Sequence, residues 1–106
     1  MKHLLTALTV VTAVASLPAQ AAEQEVGQKN KAFTTKTLTV KKGETVSFPN
    51  HDPFFHNVFS LSPAKTFDLG SYPKGETRKV TFDKAGTVEV ECAIHPNMRM
   101  IIEVKD

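Results

Sequence analysis

Cys92, His95 and Met98 stand at Cys-x2-His-x2-Met spacing in the stretch CAIHPNMRM, in a chain with only this cysteine, four histidines and three methionines. A thiolate, an imidazole and a thioether on one short loop are soft donors, and that combination selects copper or zinc over magnesium or calcium. A structural zinc site closes on four strong ligands, usually with cysteines in pairs. With one cysteine, copper is favoured. A trigonal copper site requires a second imidazole, and FFHNVFS offers His56 at the start of a strand-like segment. His51 is the other candidate in that region. It lies beside Asn50 and Asp52 in a polar, turn-like stretch that suits an exposed residue, whereas Phe54, Phe55, Val58 and Phe59 around His56 would keep water from a metal.

The elements that must position these residues read as short strands. Leu38 and Val40 alternate in TLTV; a Lys41-Lys42-Gly43-Glu44 turn leads into TVSF, where Val46 and Phe48 share a face. PNHDPFF is rich in turn residues, HNVFSL is a short strand, and SPAKTFDLGSYPKGE is a long irregular connection with an extended piece at Phe67 to Leu69. Val80 and Phe82 fall on one face, as do Val88, Val90 and Cys92, and then Met100, Ile102 and Val104. A further strand is expected over Val26 to Phe33. No segment carries a helical period, so the pattern predicts an all-β, antiparallel sandwich or small barrel of about seven strands. Cys92 then sits at the inner end of its strand and His95 on the loop beyond it. A cysteine nucleophile with His95 as base is disfavoured, because such a position is poorly exposed and no helix activates the thiol.

The first residues belong to a different kind of segment. Lys2, an apolar run from Leu4 to Leu17 and small residues at Ala19-Gln20-Ala21 predict a secretory signal peptide over 1–21, cut before Ala22. The run is short and is interrupted by threonines and Ser16, unlike a membrane span. Residues 22–106 then form one modest domain. Losing Lys2 lowers the formal charge of +2 by one, and no basic stripe interleaved with aromatics is present, so nucleic acid is not an expected partner. In an exporting compartment a lone cysteine cannot pair within its chain, which leaves Cys92 buried and inert, a ligand, or reactive.

HNVFS followed by GTVEVECAIHPNMRMIIEV resembles the type 1 (blue) copper proteins, the cupredoxins of the plastocyanin/azurin family, with a ligand loop most like that of amicyanin. The resemblance runs from Val26 to Val104 and implies a cupredoxin-like Greek-key β-sandwich of about seven to eight strands. Residue by residue it implies one copper held by His56, Cys92, His95 and Met98, with Asn57 tying the two ligand loops together. Loops with a five-residue spacing would nominate Met100 instead. Met100 is in phase with Ile102 and Val104, however, and reads as the first core residue of the last strand, so Met98 is the assignment. Ile94 stands where several relatives have proline, a departure that would tune the potential rather than abolish binding.

The function so implied is periplasmic single-electron transfer by Cu(II)/Cu(I) cycling, without enzymatic turnover. A c-type cytochrome and a periplasmic dehydrogenase are the suggested partners of the monomer. They would dock transiently near His95, with Pro53, Phe54, Pro96 and Met98 on the rim. A copper carrier or storage protein would use the same ligands, and a multicopper oxidase or nitrite reductase would need more histidines than this chain holds.

Overall fold

The computed structural model describes residues 23–106. The signal peptide expected over 1–21 and its cleavage site lie outside the described residues.

Alternation of side chains decides the layers. The strands are β1 (Glu23–Glu25), β2 (Gln28–Lys29), β3 (Ala32–Phe33), β4 (Thr37–Lys41), β5 (Thr45–Pro49), β6 (His56–Ser60), β7 (Phe67–Tyr72), β8 (Thr77–Thr81), β9 (Gly86–Glu91) and β10 (Arg99–Lys105). In β10 the buried residues are Met100, Ile102 and Val104, while Arg99 and Lys105 at its ends are exposed, the period of two that one buried face imposes. Val88 and Val90 of β9 follow the same rule and face Ile102 and Met100 across the ladder. Five strands in the order β4-β10-β9-β6-β7 form one sheet and β1-β5-β8 the other, with β2-β3 as a separate two-stranded hairpin. Val40, Val46, Phe48, Val80 and Phe82 are among the residues that fill the space between them. This is the expected Greek-key sandwich.

Three expectations change. The sheets are mixed rather than antiparallel, because β4 runs parallel to β10 and β1 parallel to β5. Parallel neighbours need long connections, and here the chain crosses between layers before each pair closes. Val26 to Phe33 is not one strand. It folds back at Asn30 and Lys31, both left-handed at φ 56 and 55, so that Lys29 faces Ala32 in a two-residue hairpin. The extended piece at Phe67 continues to Tyr72 as the edge strand β7. Arg78 closes that edge: its guanidinium donates to the Leu69 carbonyl, lies 5.0 Å over the Tyr72 ring and pairs with Glu76. Gly70, at φ +71, leaves room for it, since a Cβ there would sit 3.1 Å from the guanidinium.

Tyr72 is the chain's only tyrosine and is fully buried across the ladder from His56. Its hydroxyl donates to the Phe48 carbonyl at 2.7 Å and accepts from the Gln28 amide at 2.7 Å. Burial pushes its pKa up to about 12, against the opposing pull of the Gln28 hydrogen bond and the Arg78 charge. The fold therefore holds the neutral phenol, whereas the unfolded chain ionises near pH 10. Stability from this group is complete below about pH 10 and is lost as pH rises through about 12, by up to roughly 3 kcal/mol. Phenolate absorbance, with no other tyrosine to obscure it, and urea midpoints between pH 8 and 11 check this expectation.

Candidate metal centre

His56 opens β6 and Cys92 follows the last residue of β9, and these neighbouring strands pair through Phe59 and Glu91. The ladder thus brings the two side chains to one end of the sandwich although they are 36 residues apart. His56 is fully buried and Cys92 is 2% exposed. Cys92 Sγ lies 3.8 Å from His56 Nδ1 and 3.9 Å from His95 Nδ1, and the three donor atoms all fall within 4.8 Å of one another. Imidazole and thiolate bonds to a transition metal are about 2.0–2.3 Å long, so donors around one ion in a plane stand roughly 3.5–4 Å apart. The triangle fits a copper ion.

The loop carrying His95 is shaped by its own backbone. The His95 carbonyl accepts from Met98 N–H at 2.9 Å, a turn with Pro96 at the position that its fixed φ favours. The Met98 carbonyl in turn accepts from Cys92 N–H at 3.3 Å, which folds Met98 back against the cysteine. Met98 is 1% exposed. Met100 is 2% exposed but lies in β10 opposite Val90, where it packs as a core residue of the strand.

The orientation of His56 comes from a residue that sequence reasoning missed. His56 Nε2 is 2.6 Å from Asp52 Oδ2, and Asp52 is 3% exposed. The same carboxylate accepts the backbone N–H groups of Asn30 at 2.7 Å and Lys31 at 3.0 Å. Burial alone would raise this carboxyl, but donation from His56, Lys31 and Asn30 outweighs it and holds the group below the usual carboxylate range. An ionised Asp52 accepts Nε2–H, which fixes the tautomer and leaves the Nδ1 lone pair aimed at Cys92. The available signal was a carboxylate four residues before a candidate ligand. Read in the sequence, Asp52 was only polar company for His51. His51 itself is exposed, bonds through its backbone N–H to the Gln28 carbonyl and packs over Gly27, outside the cluster.

His95 is half-buried and faces outward. Burial lowers its pKa first, then the nearness of His56 and of the Lys31 charge, with Asp52 opposing, so that at ordinary pH its imidazole keeps a nitrogen lone pair for a metal. Phe54 lies 5.2 Å from the His56 ring and 5.3 Å from that of His95. Beside it opens a cleft of about 220 Å³ lined by Lys31, Ile94, His95, Pro96 and Asn97. The expected rim is corrected at one place: Met98 is buried, whereas Ile94 on the same loop is 48% exposed and Phe55, which precedes His56, is 54% exposed. The Lys31 ammonium stands 5.6 Å over the Phe54 ring. Asn57 accepts from Ala93 N–H at 3.4 Å and so does bridge the two ligand segments.

The sequence profile of copper binding proteins of the plastocyanin/azurin family matches residues 20–105. The chain belongs to that family. This cupredoxin is 34% identical to the methylamine utilization protein MauL of Methylorubrum extorquens, over 98% of this chain and 96% of that one. It is 32% identical to amicyanin of Paracoccus versutus, over 82% of this chain and 67% of the relative. Among solved structures, a copper(I) amicyanin variant superposes with a TM-score of 0.73 at 27% identity, covering 78% of this chain and 82% of that one. A copper-containing nitrite reductase from Thermus scotoductus gives a TM-score of 0.75 at 28% identity over 80% of this chain. The cupredoxin spans only 23% of that enzyme's chain. Copper is the metal of the family, and the donor set described above suits it.

Removing the acceptor that orients a ligating imidazole typically costs about 10–100-fold in metal affinity. Asp52→Ala is accordingly expected to weaken copper binding by that factor, and His51→Ala to leave it unchanged, as read by competition with a chelator of known affinity.

Proposed function

We propose that this cupredoxin is a single-electron carrier, in which one type 1 copper would be held by His56, Cys92 and His95 and, more weakly, by Met98. The observation that carries the reading is the convergence of three donors, with Cys92 Sγ at 3.8 and 3.9 Å from the two imidazoles. When bound, copper would supply a Cu(II)/Cu(I) couple whose potential depends on its weakest donor and on the dryness of its surroundings.

The rest is the work of the protein. Asp52 holds His56 in one tautomer, and the Cys92 and Met98 backbone bonds hold the loop, so the donors have one arrangement for both oxidation levels. Small rearrangement means a small barrier to electron transfer. Cys92 would hold the metal through its deprotonated sulfur. His56, Cys92 and Met98 are at most 2% exposed, which leaves His95 as the route to the surface. Phe54, Phe55, Ile94 and Pro96 give that route an apolar rim suited to brief docking.

The same burial argues against copper delivery, in which a partner must replace the ligands one at a time. The likeness to MauL and amicyanin supports periplasmic work beside an amine-oxidising dehydrogenase and a c-type cytochrome, without turnover of a substrate by this chain.

The copper(II) form is expected to be intensely blue, with a narrow hyperfine splitting in its EPR spectrum, and Cys92→Ser to abolish both. A colourless copper adduct in the native protein sinks the reading. Met98→Leu should raise the reduction potential by removing a donor that favours copper(II). Met100→Leu, a volume-conserving core swap, should leave the potential in place and cost less than about 1.5 kcal/mol of stability. Voltammetry and thermal melts of the two variants distinguish these roles.

A further inference from the structure

We propose that Asp68, on the outer face of the edge strand β7, is a positioning residue for the metal centre and acts through Asn57. The inference rests on the ligand assignment above and extends it to a side chain that touches no ligand.

The ladder between β6 and β9 is thin at the end that matters. Its one paired position is Phe59 with Glu91, and β6 has an irregular register against β7 between Asn57 and Phe59. Beyond that pair, toward the ligands, the tie between the strands is the Asn57 side chain, whose Oδ1 accepts from Ala93 N–H at 3.4 Å. Ala93 directly follows Cys92, and Asn57 directly follows His56, so this bond bears on the distance from sulfur to imidazole.

A side-chain amide can present either its oxygen or its NH2 group, and a 3.4 Å bond is too long to fix the choice strongly. Asp68 fixes it. Asn57 Nδ2 donates to Asp68 Oδ1 at 2.8 Å. Turning the amide over would set NH2 against the Ala93 N–H and oxygen against carboxylate, two repulsions in place of two bonds. Asp68 is itself held, because the same Oδ1 accepts Gly70 N–H at 2.8 Å across the left-handed glycine. These two donors keep its carboxyl below the usual carboxylate range, so at neutral pH it is an acceptor only.

A positioning role and a through-space charge effect make different predictions. Asp68→Asn loses the charge but keeps an oxygen of the right shape, whereas Asp68→Ala loses both. If Asp68 acts by position, Asp68→Ala shifts the reduction potential and the charge-transfer band while Asp68→Asn stays near the native values. The Ala93 amide, followed by hydrogen exchange in the full chain, both copper(I)-loaded and metal-free, should exchange about fivefold to tenfold faster in Asp68→Ala and within about twofold of native in Asp68→Asn. Should Asp68→Ala fail to fold, Asp68→Ser, whose hydroxyl is too short to reach Asn57, takes its place. Equal potential shifts in the Asn and Ala variants, or unchanged Ala93 exchange in the truncated variant, overturn the proposal. A native protein without blue absorption would instead overturn the ligand assignment, and exchange in the metal-free chain would still report on the Asp68 tie.

Discussion

The Asp52 carboxylate is buried and accepts three hydrogen bonds, one from the His56 imidazole and two from the backbone of the β2–β3 turn. Taking a carboxylate out of water costs several kcal/mol, and hydrogen bonds to a charged group return about 1.5–3 kcal/mol each, so the arrangement is viable only with all three donors present. This one group therefore joins a chain segment near residue 30 to the ligand at 56. It also accounts for a local oddity, the left-handed Lys31, since a non-glycine residue in that conformation costs roughly 1–2 kcal/mol. The bond from Lys31 N–H offsets that cost, and the turn in exchange shields the ligand's second nitrogen from water.

The sandwich does for the ligands what Asp52 does for one of them. Cys92 ends a run of inward residues, Val88 and Val90, so its sulfur inherits the orientation of a strand locked in the core. His95 and Met98 are placed by a turn and by the return bond to Cys92 N–H, with no strand of their own. Three of the four donors thus move as one body with β9. The fourth, His56, is on β6, and its alignment with the others depends on Asp52 below and on the Asn57 tie beside it. Rigidity at this end of the molecule is a matter of side-chain hydrogen bonds, because the backbone ladder there is nearly spent.

What was legible in the sequence was whatever depends on period two and on donor chemistry. Met100, Ile102 and Val104 mark a buried face, and their phase, with the amicyanin-like loop spacing, separates Met100 from Met98. The cysteine, its spacing to His95 and the apolar neighbours of His56 pointed to the cluster. What stayed hidden depends on distant partners. Asn30-Lys31 lacks the glycine that usually marks such a hairpin, and its conformation is stabilised by Asp52, which local sequence does not report. The sequence signal for β7 stops at Leu69 because Gly70 and Ser71 beyond it are poor strand formers. The edge is held through Arg78 and through Asp68, both tertiary contacts. Parallel pairing of β4 with β10 is equally silent locally, since it joins two ends of the domain.

The division between buried and reachable donors has a consequence for recognition. In the proposed function the electron leaves through His95, and a partner approaches the small surface made by Ile94, Pro96 and the rest of the cleft beside His95. Ile94 and Pro96 are its apolar part, with Lys31 the one charged side chain among the residues lining the cleft. A small apolar contact favours rapid release, and a single ammonium at its rim biases orientation without adding much affinity. Lys31 is held over Phe54 by the turn that Asp52 anchors, and Phe54 packs against both imidazoles. Asp52, which orients the buried imidazole, and Lys31, at the rim of the proposed docking surface, are thus joined by a single hydrogen bond, so the same carboxylate bears on the geometry of both.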